Sequence, residues 1–151
     1  MEENLDVKTQ AMKLPTTEVN FHVKCDKTSV GDRVALVGSI KELGEWNTEK
    51  ALFLETSPDT YPMWNIKLIL PKNCIIEYKY LIIKFAMVPS QAQGGQVQTI
   101  PISEVWENLG SSTANRRLNT FDKKEMNLTD EMNSKVVIEE YVEDRSQIPP
   151  N

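Results

Sequence analysis

The sequence predicts an all-β fold, a sandwich of antiparallel sheets made from about seven or eight short strands. Three observations predict it. Several segments alternate apolar and polar residues with a period of two, as Val19, Phe21, Val23 and Cys25 do against Asn20, His22 and Lys24. Turn-forming groups such as Val30-Gly31-Asp32, Ser57-Pro58-Asp59 and Pro71-Lys72-Asn73 punctuate the chain at short intervals. No segment carries a long helical periodicity.

The elements follow in order. Residues 1–17 are polar, lack a clear period and read as a flexible leader. The first strand begins at Glu18, the second covers Arg33 to Val37, and Gly38-Ser39 ends it. Lys41 to Asn47 is a loop around Gly44, and Ala51 to Leu54 is a short third strand. Trp64, Ile66, Leu68 and Leu70 mark a fourth strand, and Ile75 to Ile83 a fifth. The short link between these two predicts a hairpin. Gln91 to Gln98 reads as a mobile loop tip, Ile100 to Trp106 as a weak strand, and Arg117 to Phe121 as another. Lys123 to Asn133 is expected to form one or two helical turns. Val136 to Val142 alternates and reads as the last strand, so the domain is placed at 18–143 and residues 144–151 are expected to be disordered.

Composition bounds the function. A chain of 151 residues is long enough for one domain with tails. The net charge of −5 makes nucleic acid a poor partner and leaves a neutral one compatible. No apolar run approaches the roughly 18 residues of a membrane span. The acidic first residues lack a secretory core segment, so a cytoplasmic protein is expected, with Cys25 and Cys74 as reduced thiols. A monomer is expected.

Most chemistry is missing. The single histidine, His22, lies on the polar side of a strand, and no second one completes a metal site. Neither a phosphate-cradling glycine motif nor a C-x-x-C pair occurs. Glu42 and Glu45 lie in one loop, Glu139, Glu140, Glu143 and Asp144 are read as the solvated face of an edge strand, and neither group is expected to be the acid pair of a glycosidase. The chain is therefore expected to be no enzyme and to need no cofactor.

Three tryptophans remain. Trp64 opens an alternating apolar strand and is expected to pack in the core. Trp46, in Leu43-Gly44-Glu45-Trp46-Asn47, and Trp106, ahead of a Gly/Ser/Thr loop, lie among polar residues. Two loop tryptophans on a sandwich form a surface platform. A flat indole takes the apolar C–H face of a pyranose ring, and neighbouring lysine and asparagine side chains serve its hydroxyls. Lys79 and Asn115 are the neighbours in reach of such a platform, with Asn108 as an alternative to Asn115.

These residues stand in a larger pattern. Gly38-Ser39-Ile40-x-x-Leu43-Gly44-x-Trp46-Asn47 resembles the signature of the family 20 carbohydrate-binding module, the starch-binding domain. Tyr61-Pro62-Met63-Trp64 is similar to its YPxW element. Leu70-Pro71 with Glu77-Tyr78-Lys79-Tyr80 is similar to its LP…EYKF pair, and Trp106-Glu107 with Asn115-Arg116 to its WE…NR pair. The elements occur in the family's order over residues 18 to 142.

The resemblance implies an immunoglobulin-like antiparallel sandwich that binds α-1,4-glucan, meaning starch, glycogen or maltooligosaccharides. It implies a first site of Trp46, Lys79, Trp106 and Asn115, with Glu107 as an additional candidate. The tyrosines of a second site are replaced here by Val30 and by the region of Ser57, which leaves Tyr61 with Trp64 for that role. The stretches from Lys79 to Trp106 and from Trp106 to Asn115 are both longer than the family pattern. Two other readings share the fold: a regulatory or protein-interaction domain that has lost sugar binding, and the appended module of a larger glucan-active enzyme.

Overall fold

The computed structural model describes residues 15–89, 96–111 and 113–134. They form eight strands: β1 (Thr16–Lys24), β2 (Arg33–Gly38), β3 (Leu52–Phe53), β4 (Met63–Pro71), β5 (Ile75–Pro89), β6 (Val97–Trp106), β7 (Arg116–Asn119) and β8 (Glu125–Glu131). One sheet has the order β4-β1-β8; the other has β3-β2-β5-β6, with β7 also paired to β5. The β-sandwich is thus present, and one of its pairs is parallel, β1 beside β8.

The alternation in β1 is the reason for its place. Val19, Phe21 and Val23 are fully buried between the sheets, while the residues between them are partly exposed. Facing them from the second sheet are Val34, Leu36, Ile76, Tyr78 and Tyr80, all in the same core cluster. Phe21 meets Tyr78 edge-on at 5.3 Å between ring centroids. A smaller cluster of Ala35, Val37, Leu81 and Ile83 lies on the second sheet's other face, covered by Ala51, Phe53 and Phe85. Burial on both faces explains the unbroken apolar runs of β2 and β5.

Three expectations are corrected. β4 and β5 do not form a hairpin: β4 pairs with β1, and β5 with β2 in the opposite sheet. Their link crosses the edge of the sandwich and is clamped by buried Thr120, whose hydroxyl accepts from the Cys74 amide at 3.0 Å and donates to the Pro71 carbonyl at 2.8 Å. Within Lys123–Asn133, a strand replaces the expected helical turns, because Met126, Leu128 and Asp130 alternate inward against exposed Asn127 and Thr129. The strand bounds around the loop tip also move: β5 runs on past Ile83 to Pro89 and β6 begins at Val97 ahead of Ile100, and the two pair from Leu81↔Trp106 out to Pro89↔Val97 with a bulge at Lys84/Phe85.

Two smaller differences complete the comparison. β1 starts at Thr16, two positions ahead of the expected boundary, and Thr17 is fully buried. The rest of the leader, the expected strand Val136–Val142 and the terminal residues 144–151 lie outside the described residues, as does most of the loop tip, residues 90–95. Cys25 and Cys74 are free thiols, as expected. Among the described residues, no helix is long and apolar enough to cross a membrane.

Candidate functional site

β2 delivers the chain into a compact turn, Lys41–Trp46. Leu43 pins this turn into the core, and the amides of Leu43 and Glu45 both donate to the Ile40 carbonyl. Gly44, Glu45 and Trp46 then adopt positive φ in succession, at 83°, 51° and 67°. Left-handed backbone costs an L-residue roughly 1–2 kcal/mol, so the turn holds Glu45 and Trp46 against their preference. The result is Trp46 held at the surface, 36% exposed.

Glycine is required at the turn's hinge. A Cβ on Gly44 would stand 3.0 Å from both the Lys50 Cβ and the Lys50 carbonyl oxygen, at a φ that already disfavours a side chain. Gly44→Ala is therefore expected to cost about 1–2 kcal/mol of stability, read as a lowered urea midpoint. An unchanged midpoint would show that the turn is not strained.

Trp106 ends β6 opposite Leu81 and is 37% exposed. Lys79 sits on β5 two residues before Leu81, on the same face, and its Nζ lies 5.9 Å from the centroid of the Trp106 ring. Lys79 is 5% exposed, yet among the described residues its ammonium has neither a hydrogen bond nor a carboxylate partner. Asn115, just before β7, is half-buried, and its Nδ2 donates to Glu77 Oε1 at 2.9 Å.

Trp46, Lys79, Trp106 and Asn115 share one open groove of about 780 Å³. The lengthened loop after Trp106 makes its far wall through Asn108, Ser111 and Thr113. This loop is folded: Leu109 is buried, Asn108 Oδ1 accepts from the Gly110 amide at 2.8 Å, and the Asn108 amide donates to Asn133 Oδ1 at 2.7 Å. Of the two asparagines weighed from the sequence, Asn108 is exposed with its Oδ1 held inside the loop, Asn115 is half-buried with its Nδ2 held by Glu77, and both line the groove.

Glu107 borders the groove, but its carboxylate is turned inward. It accepts from the Tyr80 amide at 2.9 Å, from Arg116 Nε and Nη2 at 2.9 and 2.8 Å, and from the Asn133 amide at 3.2 Å. Arg116 also donates to the Glu131 carbonyl and lies 3.5 Å from Asp130. Asp130 in turn accepts from both the Tyr78 and Tyr80 hydroxyls. Burial pushes the Asp130 carboxyl and the Tyr80 phenol above their ordinary values, with Arg116 pulling each back only in part. Burial disfavours the Arg116 charge, yet the bonds and charge of Glu107 hold its guanidinium above its usual range.

The remaining candidates lie elsewhere. Trp64 is 6% exposed, and its indole N–H donates to the Cys25 carbonyl at 3.2 Å, so the ring belongs to the core. Tyr61 is exposed and meets Trp64 edge-on at 6.5 Å. Two participants were not picked out from the sequence: Glu77, which holds Asn115, and the loop hydroxyls of Ser111 and Thr113. For Glu77 a signal existed, since it lies two residues from Lys79 on the same strand face.

Comparison with known proteins decides the family. The family profile described as the starch binding domain matches residues 16–129. The chain belongs to the starch-binding domain family. This domain is a carbohydrate-binding module and is not itself catalytic. In sequence it is 41% identical over 66 residues to an alpha-amylase of Thermomonospora curvata, covering 44% of this chain and 11% of the amylase. It is 35% identical over 66 residues to glucoamylase-1 of Schizophyllum commune, again covering 44% of this chain and 11% of that enzyme. In structure it is similar to the family 20 module of the maltotetraose-forming amylase from Pseudomonas saccharophila STB07, with a TM-score of 0.52 and 25% identity, over 77% of this chain and 100% of that one. The Hypocrea jecorina glucoamylase shares the fold at a TM-score of 0.57 and 23% identity, over 80% of this chain and 18% of the glucoamylase.

Proposed function

We propose that this starch-binding domain holds α-1,4-glucan in the groove between Trp46 and Trp106. Glucose rings stack on the two indoles, Lys79 donates to a sugar hydroxyl, and Asn115 exchanges hydrogen bonds with a neighbouring one. The observation that carries this reading is Lys79. Its ammonium lines the same groove as the two indoles, 5.9 Å from the Trp106 ring, and has no hydrogen-bond acceptor among the described residues. A hydroxyl-rich, uncharged ligand in the groove satisfies it without introducing a second charge, which suits a chain of net charge −5. Stacking on an open face gives modest affinity per site, which a polymer multiplies by presenting many sites. A place as the glucan-holding part of a larger enzyme is compatible with the small share of the amylase and glucoamylase that the chain covers.

The test is retention in a native gel containing glycogen or amylose, with Lys79→Met beside the wild type. Lys79→Met removes an ammonium with no carboxylate partner among the described residues and keeps the aliphatic stem, so its melting temperature is expected to change little, while retention falls by roughly an order of magnitude in affinity. Wild-type migration equal to that of a non-binding control would end the reading.

One observation favours a second reading, a protein-interaction domain. From Phe85 to Ser103 the sequence has no charged residue, and Met87, Val97 and Ile102 of this ribbon are more than half exposed. A protein partner retained by a ribbon-bearing chain that ignores glycogen would support it.

A further inference from the structure

We propose that Glu77 is a positioning residue that sets the hydrogen-bond polarity of the groove by orienting the Asn115 amide; this rests on the glucan reading above. A carboxylate only accepts, so the end of Asn115 that faces Glu77 must be its NH₂ group, as the 2.9 Å contact from Nδ2 to Oε1 records. That leaves Oδ1 for the groove. Lys79 can only donate, so a fixed acceptor beside it complements its donors toward a sugar hydroxyl pair. With Asn115 held this way the groove offers one of each, and two neighbouring hydroxyls of a glucose ring can be met at once, one accepting from Lys79 and one donating to Asn115.

The backbone of Glu77 is tied to the segment that leads into the other wall of the groove. Its carbonyl accepts from the Ser39 amide at 2.8 Å, and its amide donates to the Ser39 hydroxyl at 3.0 Å. Ser39 leads into the turn that presents Trp46. A Cβ on Gly38 would come within 2.6 Å of the same carbonyl, so the approach of these two segments is close. Glu77 thus links Asn115 to Ser39, two residues ahead of the turn that presents Trp46.

A swap of the pair separates this role from a structural one. Maltoheptaose affinity is measured by calorimetry, with melting temperatures as the control for folding. Asn115→Asp sets two carboxylates against each other and is expected to weaken binding about tenfold or more. Adding Glu77→Gln to it rebuilds the contact with donor and acceptor exchanged, leaving a carboxylate oxygen for the groove. Affinity is then expected to return to within about threefold of wild type. Glu77→Ala alone is expected to weaken binding about fivefold, with no further loss when added to Asn115→Ala.

Failure of the combined variant to improve on Asn115→Asp, or an unchanged affinity in Glu77→Ala while Trp46→Ala loses binding, overturns the proposal and leaves the glucan reading intact. No binding by the wild type overturns both.

Discussion

Glu107→Ala is expected to lose about 3–5 kcal/mol of stability, a large share of the about 5–15 kcal/mol that a domain of this kind has in hand. The side chain is fully buried and receives Tyr80, Asn133 and both Nε and Nη2 of Arg116. Its removal strands the Arg116 guanidinium in the interior with Asp130 as its nearest remaining carboxylate, at 3.5 Å, and orphans two backbone amides. Glu107→Gln keeps the shape and part of the hydrogen bonding and is expected to lose less. Urea unfolding followed by far-ultraviolet circular dichroism reads both. A Glu107→Gln protein as stable as wild type but unable to bind glucan would show that this carboxylate meets the ligand directly instead of holding Trp106 in place from behind.

Loss of either stacking ring is expected to have the opposite signature, folding preserved and binding gone. Trp46 and Trp106 are 36% and 37% exposed, and neither belongs to the core clusters. Truncating a central aromatic anchor costs about 2 kcal/mol or more, roughly a 30-fold loss of affinity. Trp46→Ala also relieves a left-handed backbone at φ 67° only in part, because alanine keeps a Cβ; its melting temperature is therefore expected to change little. Affinity electrophoresis in glycogen should show both variants running at the ligand-free position. Retention of Trp46→Ala at the wild-type position would remove the turn from the site.

Much of the fold was legible because burial on one face leaves a period-two trace, clear in β1 and β4. The same trace cannot say which strand is the neighbour. β4 and β5 each bury a face and lie three residues apart, which suits a hairpin and a sheet crossing equally; the Thr120 clamp that decides between them comes from residues far along the chain. β8 was obscured by its polar members: Asp130 faces inward only because Tyr78, Tyr80 and Arg116 await it there.

In the site, the glycine-flanked Trp46 and the loop-flanked Trp106 stood out as tryptophans without an apolar strand around them. The inward turn of Glu107 did not, since a glutamate beside a surface tryptophan looks the same whether it faces ligand or arginine. Glu77 was hidden for the same reason, its meaning depending on an asparagine 38 positions away.

The most direct measurement is a maltoheptaose titration followed by intrinsic tryptophan fluorescence on the wild type, Trp46→Ala and Trp106→Ala. Buried Trp64 contributes a constant background, so any change reports the two groove rings. A saturable change in the wild type that is lost in both variants, with their melting temperatures near wild type, is the predicted result. A wild-type spectrum indifferent to maltoheptaose, or a titration that survives in both variants, would contradict glucan binding between Trp46 and Trp106.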